Sequence, residues 1–162
     1  VKPHPMSFRN PGDRHATGGI DWRKRLRVYE NEFTNLTVLS GYNSNPYIIA
    51  ADILITDVSS IVFEYLLLDK PIIFIDVPGF FENIDDEQER NWVKSAGRVV
   101  KKPDELHSAV REALQNPRER SVQRRGLFPD LVYNPGKGAD TAVEAIITLL
   151  NGRTDNPGYG GS

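Results

Sequence analysis

Lys2, His4, Asp57, Ser59, Ser60 and Glu64 have the types and spacing to act on a phosphorylated ligand. Lys2 and His4 alternate with Val1 and Pro3, so in an extended segment both project to one side. A cation and an imidazole at a strand end can neutralise phosphate charge or protonate a leaving group. A surface lysine and a turn-capping histidine account for the same two residues, and for isolated residues that is the commoner arrangement. Thr56-Asp57-Val58-Ser59-Ser60 joins an apolar run to a helical pattern. The first amides of a helix lack internal partners and its dipole favours negative charge, so two serines there could hold a diphosphate without a glycine-rich loop. Taken alone, Ser59 is more simply an N-cap, because serine is a preferred cap in any helix. Glu64 falls one turn beyond Ser60 among apolar neighbours, and a carboxylate buried there needs a partner. A ribose diol, Lys70 or solvent could each supply one. His15, in a loop, and His107, on the polar side of a helix, carry no comparable signal.

These residues need a frame. Val1–His4 reads as the end of a strand, closed by Pro5 and a loop rich in Pro, Gly, Asn and Arg up to Gly19. Asp21 predicts an N-cap for a helix through about Phe33, with Trp22, Leu26 and Tyr29 on one face. Leu36–Leu39 predicts a strand, and Asn45-Pro46 opens a short helix to Ala51. Asp52–Asp57 has the apolar continuity of a strand buried on both faces, followed by a helix over Ser59–Leu68 and another buried strand over Pro71–Ile75. Gly97–Val100 is a further short strand. Pro103–Leu114 is amphipathic, with Leu106, Ala109, Val110, Ala113 and Leu114 in one stripe. Helices are expected over Pro117–Arg125 and from Gly138 to about Leu150. Strands alternating with helices imply a Rossmann-like, doubly wound parallel α/β sheet, whose ligands sit at the carboxyl ends of strands. His4, Asp57 with Ser59 and Ser60, and Asp76-Val77-Pro78-Gly79 all fall at such ends.

Composition excludes several other functions. The 162 residues fit one domain over residues 1–150, with residues 151–162 as a mobile Gly-rich tail. Net charge is −2 and no block of like charge marks a nucleic-acid partner. With no cysteine, disulfides, thiolate metal sites and thiol catalysis are excluded. Asp85-Asp86-Glu87 with Glu89 lacks the spacing and glycine of a calcium loop and reads as a solvated lid, so neither metal nor cofactor is expected. The longest apolar run, Ile61–Leu68, is broken by Glu64 and too short to cross a bilayer. No secretory signal is present, and a cytoplasmic location is the expectation. Opening on Val1 at a strand end, without Met, is expected of a piece of a longer chain.

Lys2-x-His4-Pro5, then Ala51-Asp52-Ile53-Leu54-Ile55-Thr56-Asp57-Val58-Ser59-Ser60-Ile61-Val62-Phe63-Glu64-Tyr65, then Asp69-Lys70-Pro71-Ile72-Ile73-Phe74, resembles the CDP-glycerol glycerophosphotransferases of teichoic-acid-type polymer synthesis. Pro103-Asp104-Glu105-Leu106 and Gly136-Lys137-Gly138-Ala139 extend the likeness over most of residues 1–150. The resemblance implies the C-terminal, donor-binding half of a glycosyltransferase-B-type fold. A separate N-terminal domain would supply the acceptor site and the catalytic base, so this chain alone is expected to be inactive. It also implies a nucleotide-diphosphate partner such as CDP-glycerol, transfer of glycerol phosphate to a polymer hydroxyl with release of CMP, and a full-length enzyme peripheral to the inner face of the cell membrane. His4 matches a catalytic histidine near the donor phosphates, Ser59 and Ser60 the diphosphate-binding pair, and Glu64 an acidic residue that binds donor hydroxyls; Lys2 and Asp57 complete the donor set. The chain departs from the family where Val58 replaces Tyr, Glu64 replaces Asp and Thr141 replaces Arg. Alternatives are the donor domain of another nucleotide-sugar transferase, a UDP-GlcNAc 2-epimerase-like enzyme, or a non-catalytic nucleotide-binding module.

Overall fold

The computed structural model describes residues 1–41, 43–57, 59–77, 95–131, 134 and 136–154, and divides into two compact units, Val1–Pro46 and Tyr47–Ser162. In the first unit, His4 caps a 3-10 turn over Pro5–Phe8, and α1 (Arg14–Thr17) ends at Gly18 with φ 63°. Trp22–Glu32 forms α2, in which Asp21 accepts a bond from the Lys24 amide at the N-cap. Val1–His4 and Leu36–Leu39, both expected as strands, form none. They meet through one pair of backbone bonds, from the Val1 nitrogen to the Thr37 carbonyl (2.6 Å) and from the Leu39 amide to the Val1 carbonyl (2.8 Å). That is the pattern of a single parallel bridge between Val1 and Val38.

From the boundary onward, α3 (Asn45–Ala50) leads into β1 (Leu54–Thr56), α4 (Ile61–Leu66) and β2 (Ile72–Ile75). Next come β3 (Arg98–Val100), a 3-10 turn over Pro103–Glu105, α5 (Leu106–Gln115), α6 (Ser121–Leu131) and α7 (Gly138–Thr154). The acidic run at residues 85–89 lies outside the described residues, as does most of Asp76–Gly79 beyond Val77. The strands form a parallel sheet in the order β1-β2-β3, with Ile55 opposite Ile73 and Phe74 opposite Val99.

The middle strand is apolar throughout because both of its faces are covered. Ile72 and Phe74 join Ile48, Val62, Tyr65 and Leu66 in one cluster, with Leu127 and Leu131 packed against it; α3, α4 and α6 therefore cover that face. Ile73 and Val100 pack with Ala109, and with Leu106, Val110 and Ala113, under α5 on the other. Helices on both faces of a parallel sheet are the α/β layering expected of the alternating pattern. Gly97 is needed where β3 approaches β2: a Cβ there would lie 2.4 Å from the Ile72 carbonyl oxygen.

Four further expectations are corrected. β1 is not buried on both faces; Ile55 is 42% exposed, because β1 ends the described sheet and has a neighbour on one side only. Leu114 leaves the α5 stripe and is exposed. The helix expected over Pro117–Arg125 begins only at Ser121 and continues through Pro129 to Leu131, after a turn over residues 117–120. The last helix runs to Thr154, and its Val143, Ile146, Ile147, Leu149 and Leu150 are all exposed.

Candidate functional site

The polar residues after β1 gather at one strand-to-helix junction. Asp57 is exposed, with the Thr56 hydroxyl 3.4 Å from its carboxylate. Ser59 is half-buried and Ser60 is exposed. Ser60 occupies the N-cap of α4 with a right-handed helical backbone, and its hydroxyl makes no capping bond. Ser59, expected as the N-cap, lies one residue before that position. The turn is closed instead by backbone bonds from the Val62 amide to the Ser59 carbonyl (3.0 Å) and from the Phe63 amide to the Ser60 carbonyl (3.1 Å). Glu64 is exposed, so it reaches solvent, one of the partners considered for it. The phase of α4 explains this: Val62, Tyr65 and Leu66 turn into the core, and the position between them faces out. Lys70, offered above as a partner for Glu64, donates instead to the carbonyls of Ile49 (2.8 Å) and Ala51 (2.9 Å) at the end of α3.

In the first unit, His4 is exposed and its Nδ1 accepts a bond from the Met6 amide at 3.2 Å. The turn-capping reading is therefore realised, and the bond leaves Nε2 available. Lys2 is half-buried on a groove of about 420 Å³ that it shares with residues of α2. Asp57, Ser59, Ser60 and Glu64 thus belong to one junction, and Lys2 and His4 to the other unit. His15 and His107 are exposed.

Sequence reasoning missed a second polar centre, at the end of the sheet opposite that junction. Asp69 follows α4 with φ 50°, a left-handed backbone that aspartate tolerates better than most residues. Its carboxylate accepts from the Ser121 hydroxyl (2.5 Å), Arg124 Nε (3.0 Å) and Arg125 Nε (2.8 Å). Arg124, only 2% exposed, also donates to the carbonyls of Asp69 and Pro117, each at 3.0 Å. Burial pushes the Asp69 carboxyl up, but bonds from Ser121, Arg124 and Arg125 outweigh it and hold the group below the usual carboxylate range. Nearby, burial, followed by the charge of Asp52, pushes the Tyr65 hydroxyl up to about 12, with Arg124 acting in the opposite sense. That hydroxyl donates to the Ala51 carbonyl at 3.1 Å. The signal in the sequence was Asp69-Lys70-Pro71 directly before the most apolar strand, read only as part of a motif.

A parallel sheet with helices on both faces, and with polar side chains where β1 runs into α4, defines an α/β chain. The family model described as CDP-glycerol:poly(glycerophosphate) glycerophosphotransferase matches residues 23–147, and this chain belongs to that family. The match includes Asp57, Ser59, Ser60 and Glu64 and begins downstream of Lys2 and His4. The chain is also similar to the teichoic acid poly(ribitol-phosphate) polymerase of Bacillus spizizenii, 31% identical over 109 residues. That similarity covers 64% of this chain and 16% of the polymerase. No solved structure matches the chain at a significant level. Among the described residues, no helix is long and apolar enough to cross a membrane, and no group of three or more His, Asp or Glu is placed to hold a metal ion.

Proposed function

We propose that this chain is the donor-binding part of a glycerophosphotransferase, the C-terminal half of a glycosyltransferase-B-type fold, acting with a separate acceptor domain. The supporting observation is the junction after β1, where Asp57, Ser59, Ser60 and Glu64 stand exposed or half-exposed at a strand's carboxyl end inside the family match. The donor is CDP-glycerol. The Ser60 and Ile61 amides and the Ser59 and Ser60 hydroxyls hold its diphosphate, Asp57 orders that turn, and Glu64 takes donor hydroxyls. An acceptor hydroxyl attacks the phosphorus that bears glycerol. The bond from that phosphorus to the bridging oxygen breaks, the electron pair leaves with CMP, and the hydroxyl proton passes to a base on the acceptor domain. His4, whose Nδ1 is occupied by the Met6 amide, presents Nε2 to the departing phosphate, and Lys2 adds positive charge. Phosphoryl transfer depends mainly on positioning and electrostatics, so a donor side built from these groups is chemically sufficient.

A ribitol phosphate donor is the second reading. It is favoured by the relative named as a poly(ribitol-phosphate) polymerase and by Glu64, one methylene longer than the aspartate usual at that position. Titrating the protein with CDP-glycerol, CDP-ribitol, UDP and UDP-GlcNAc tests both. The tightest binding is expected for a CDP-linked polyol, and a preference for UDP compounds overturns the donor assignment. In the enzyme with its acceptor domain, His4→Ala is expected to lower kcat more than donor affinity; unchanged kcat removes His4 from the mechanism.

A further inference from the structure

Charge is unevenly distributed along this chain. Residues 1–46 contain seven Lys and Arg against four Asp and Glu, whereas the whole chain is net negative at −2. The excess is concentrated on α2, where Arg23, Lys24, Arg25 and Arg27 crowd the first turns of the helix. Cations there oppose the helix dipole, and Arg23 with Arg27 is a like-charged i,i+4 pair, so both placements cost stability. Among the described residues none of Lys2, Arg23 and Arg27 has an ion-pair partner. Glu30, the carboxylate nearest to hand, accepts a bond from the Val38 amide at 2.8 Å.

The three cations share one groove of about 420 Å³, whose walls also include Pro3, Phe8 and Leu26. Arg23 is steadied there, its guanidinium lying 4.7 Å from the centre of the Phe8 ring. Arg23 and Arg27 are one turn apart, about 6 Å along the helix axis, a spacing close to that of successive phosphates in a three-carbon phosphodiester chain. The apolar side chains that line the groove with the cations suit the carbon segments between those phosphates.

We propose that Arg23 and Arg27 make this groove a subsite for a phosphodiester polymer, the growing glycerol-phosphate chain. The proposal rests on the glycerophosphotransferase reading for the identity of the polymer. Its recognition chemistry, cations paired with phosphates, would also suit the diphosphate of a nucleotide donor, and the test separates the two sources.

The protein is titrated with a synthetic glycerol-phosphate hexamer and, separately, with CDP-glycerol, at low and at physiological salt. The hexamer is expected to bind, more weakly as salt rises. The Arg23→Gln/Arg27→Gln variant is expected to lose at least tenfold in hexamer affinity and less than twofold in CDP-glycerol affinity. Lys24→Gln, which removes one charge from the same helix outside the groove, is expected to change hexamer binding less than twofold. Circular dichroism melts of each variant separate lost binding from lost folding, and Arg23→Lys/Arg27→Lys, which keeps the charge, is expected to retain most of the hexamer affinity. No hexamer binding by the unaltered protein, undiminished binding by the double Gln variant, or an equal loss for both ligands overturns the proposal. Hexamer binding without CDP-glycerol binding leaves this subsite standing while the donor reading falls.

Discussion

The two ends of the small parallel sheet treat their polar residues in opposite ways. At the amino-terminal end of β2, Asp69 accepts three side-chain bonds and the buried Arg124 donates to one carboxylate and two carbonyls. At the carboxyl end of β1, Asp57, Ser60 and Glu64 are exposed and the N-cap hydroxyl makes no capping bond. Residues of the first kind hold α6 to the turn after α4, because a desolvated charge is tolerable only when its bonds are complete. Residues of the second kind contribute little to the fold, and the proposed function gives them to a ligand. The difference lies in bonding and exposure and not in residue type, since Asp and Ser occur at both ends.

The comparison breaks first at Arg124. Arg124→Ala should destabilise the protein by about 3–5 kcal/mol, the cost of leaving a buried partner unpaired, read from urea unfolding. A loss below about 1 kcal/mol, within the range of an ordinary surface change, would mean that α6 is held by Leu127 and Leu131 alone. Removing only a hydroxyl at that end has a smaller effect. Tyr65→Phe should cost about 0.5–1.5 kcal/mol for the bond to Ala51, since Lys70 still donates to that carbonyl.

The pH dependence of stability sharpens the same contrast. Asp69 has a folded pKa below its unfolded value, near 3.9, so its contribution is fully present above that value and is lost as pH falls through the folded pKa. Asp69→Asn should flatten this acid limb. Tyr65 shows the reverse: raised from 10.0 to about 12, it contributes fully below pH 10 and loses that contribution as pH rises toward 12. Tyr65→Phe should flatten the alkaline limb, and unfolding midpoints across pH test both.

The smallest effect on stability is expected at the open end. Ser59→Ala/Ser60→Ala should change unfolding free energy by no more than about 0.5 kcal/mol, while weakening CDP-glycerol binding by about 1–3 kcal/mol for each bond lost to a charged phosphate. A large loss of stability with unchanged binding would reverse the roles given to the two ends.

Much of this frame was legible because local signals agreed with tertiary placement. Asp21 capped α2, the apolar run after Pro71 became the doubly covered β2, and the stripe from Leu106 to Ala113 packed as α5. The junction of Asp57, Ser59 and Ser60 was legible from its place between a strand and a helix. The errors arose where a long-range partner decided the outcome. The helix expected to end at Arg125 continues as α6 through Pro129, with Leu127 and Leu131 packed against the core cluster and Arg124 tied to Asp69. Glu64 was read among apolar neighbours in sequence, while the helical period separates it from the ones that face inward. No periodicity marks Arg124 as buried, because its partner lies 55 positions earlier.

Asp69 also limits how this sequence can drift. Its backbone conformation favours Gly, Asn or Asp, and its side chain must be an acceptor for two guanidinium groups and a hydroxyl. Glycine would ease the first demand and abolish the second; glutamate would do neither well. Positions 69 and 124 are therefore expected to vary together among related sequences or to stay unchanged, and a lineage that loses one should show repair at the other.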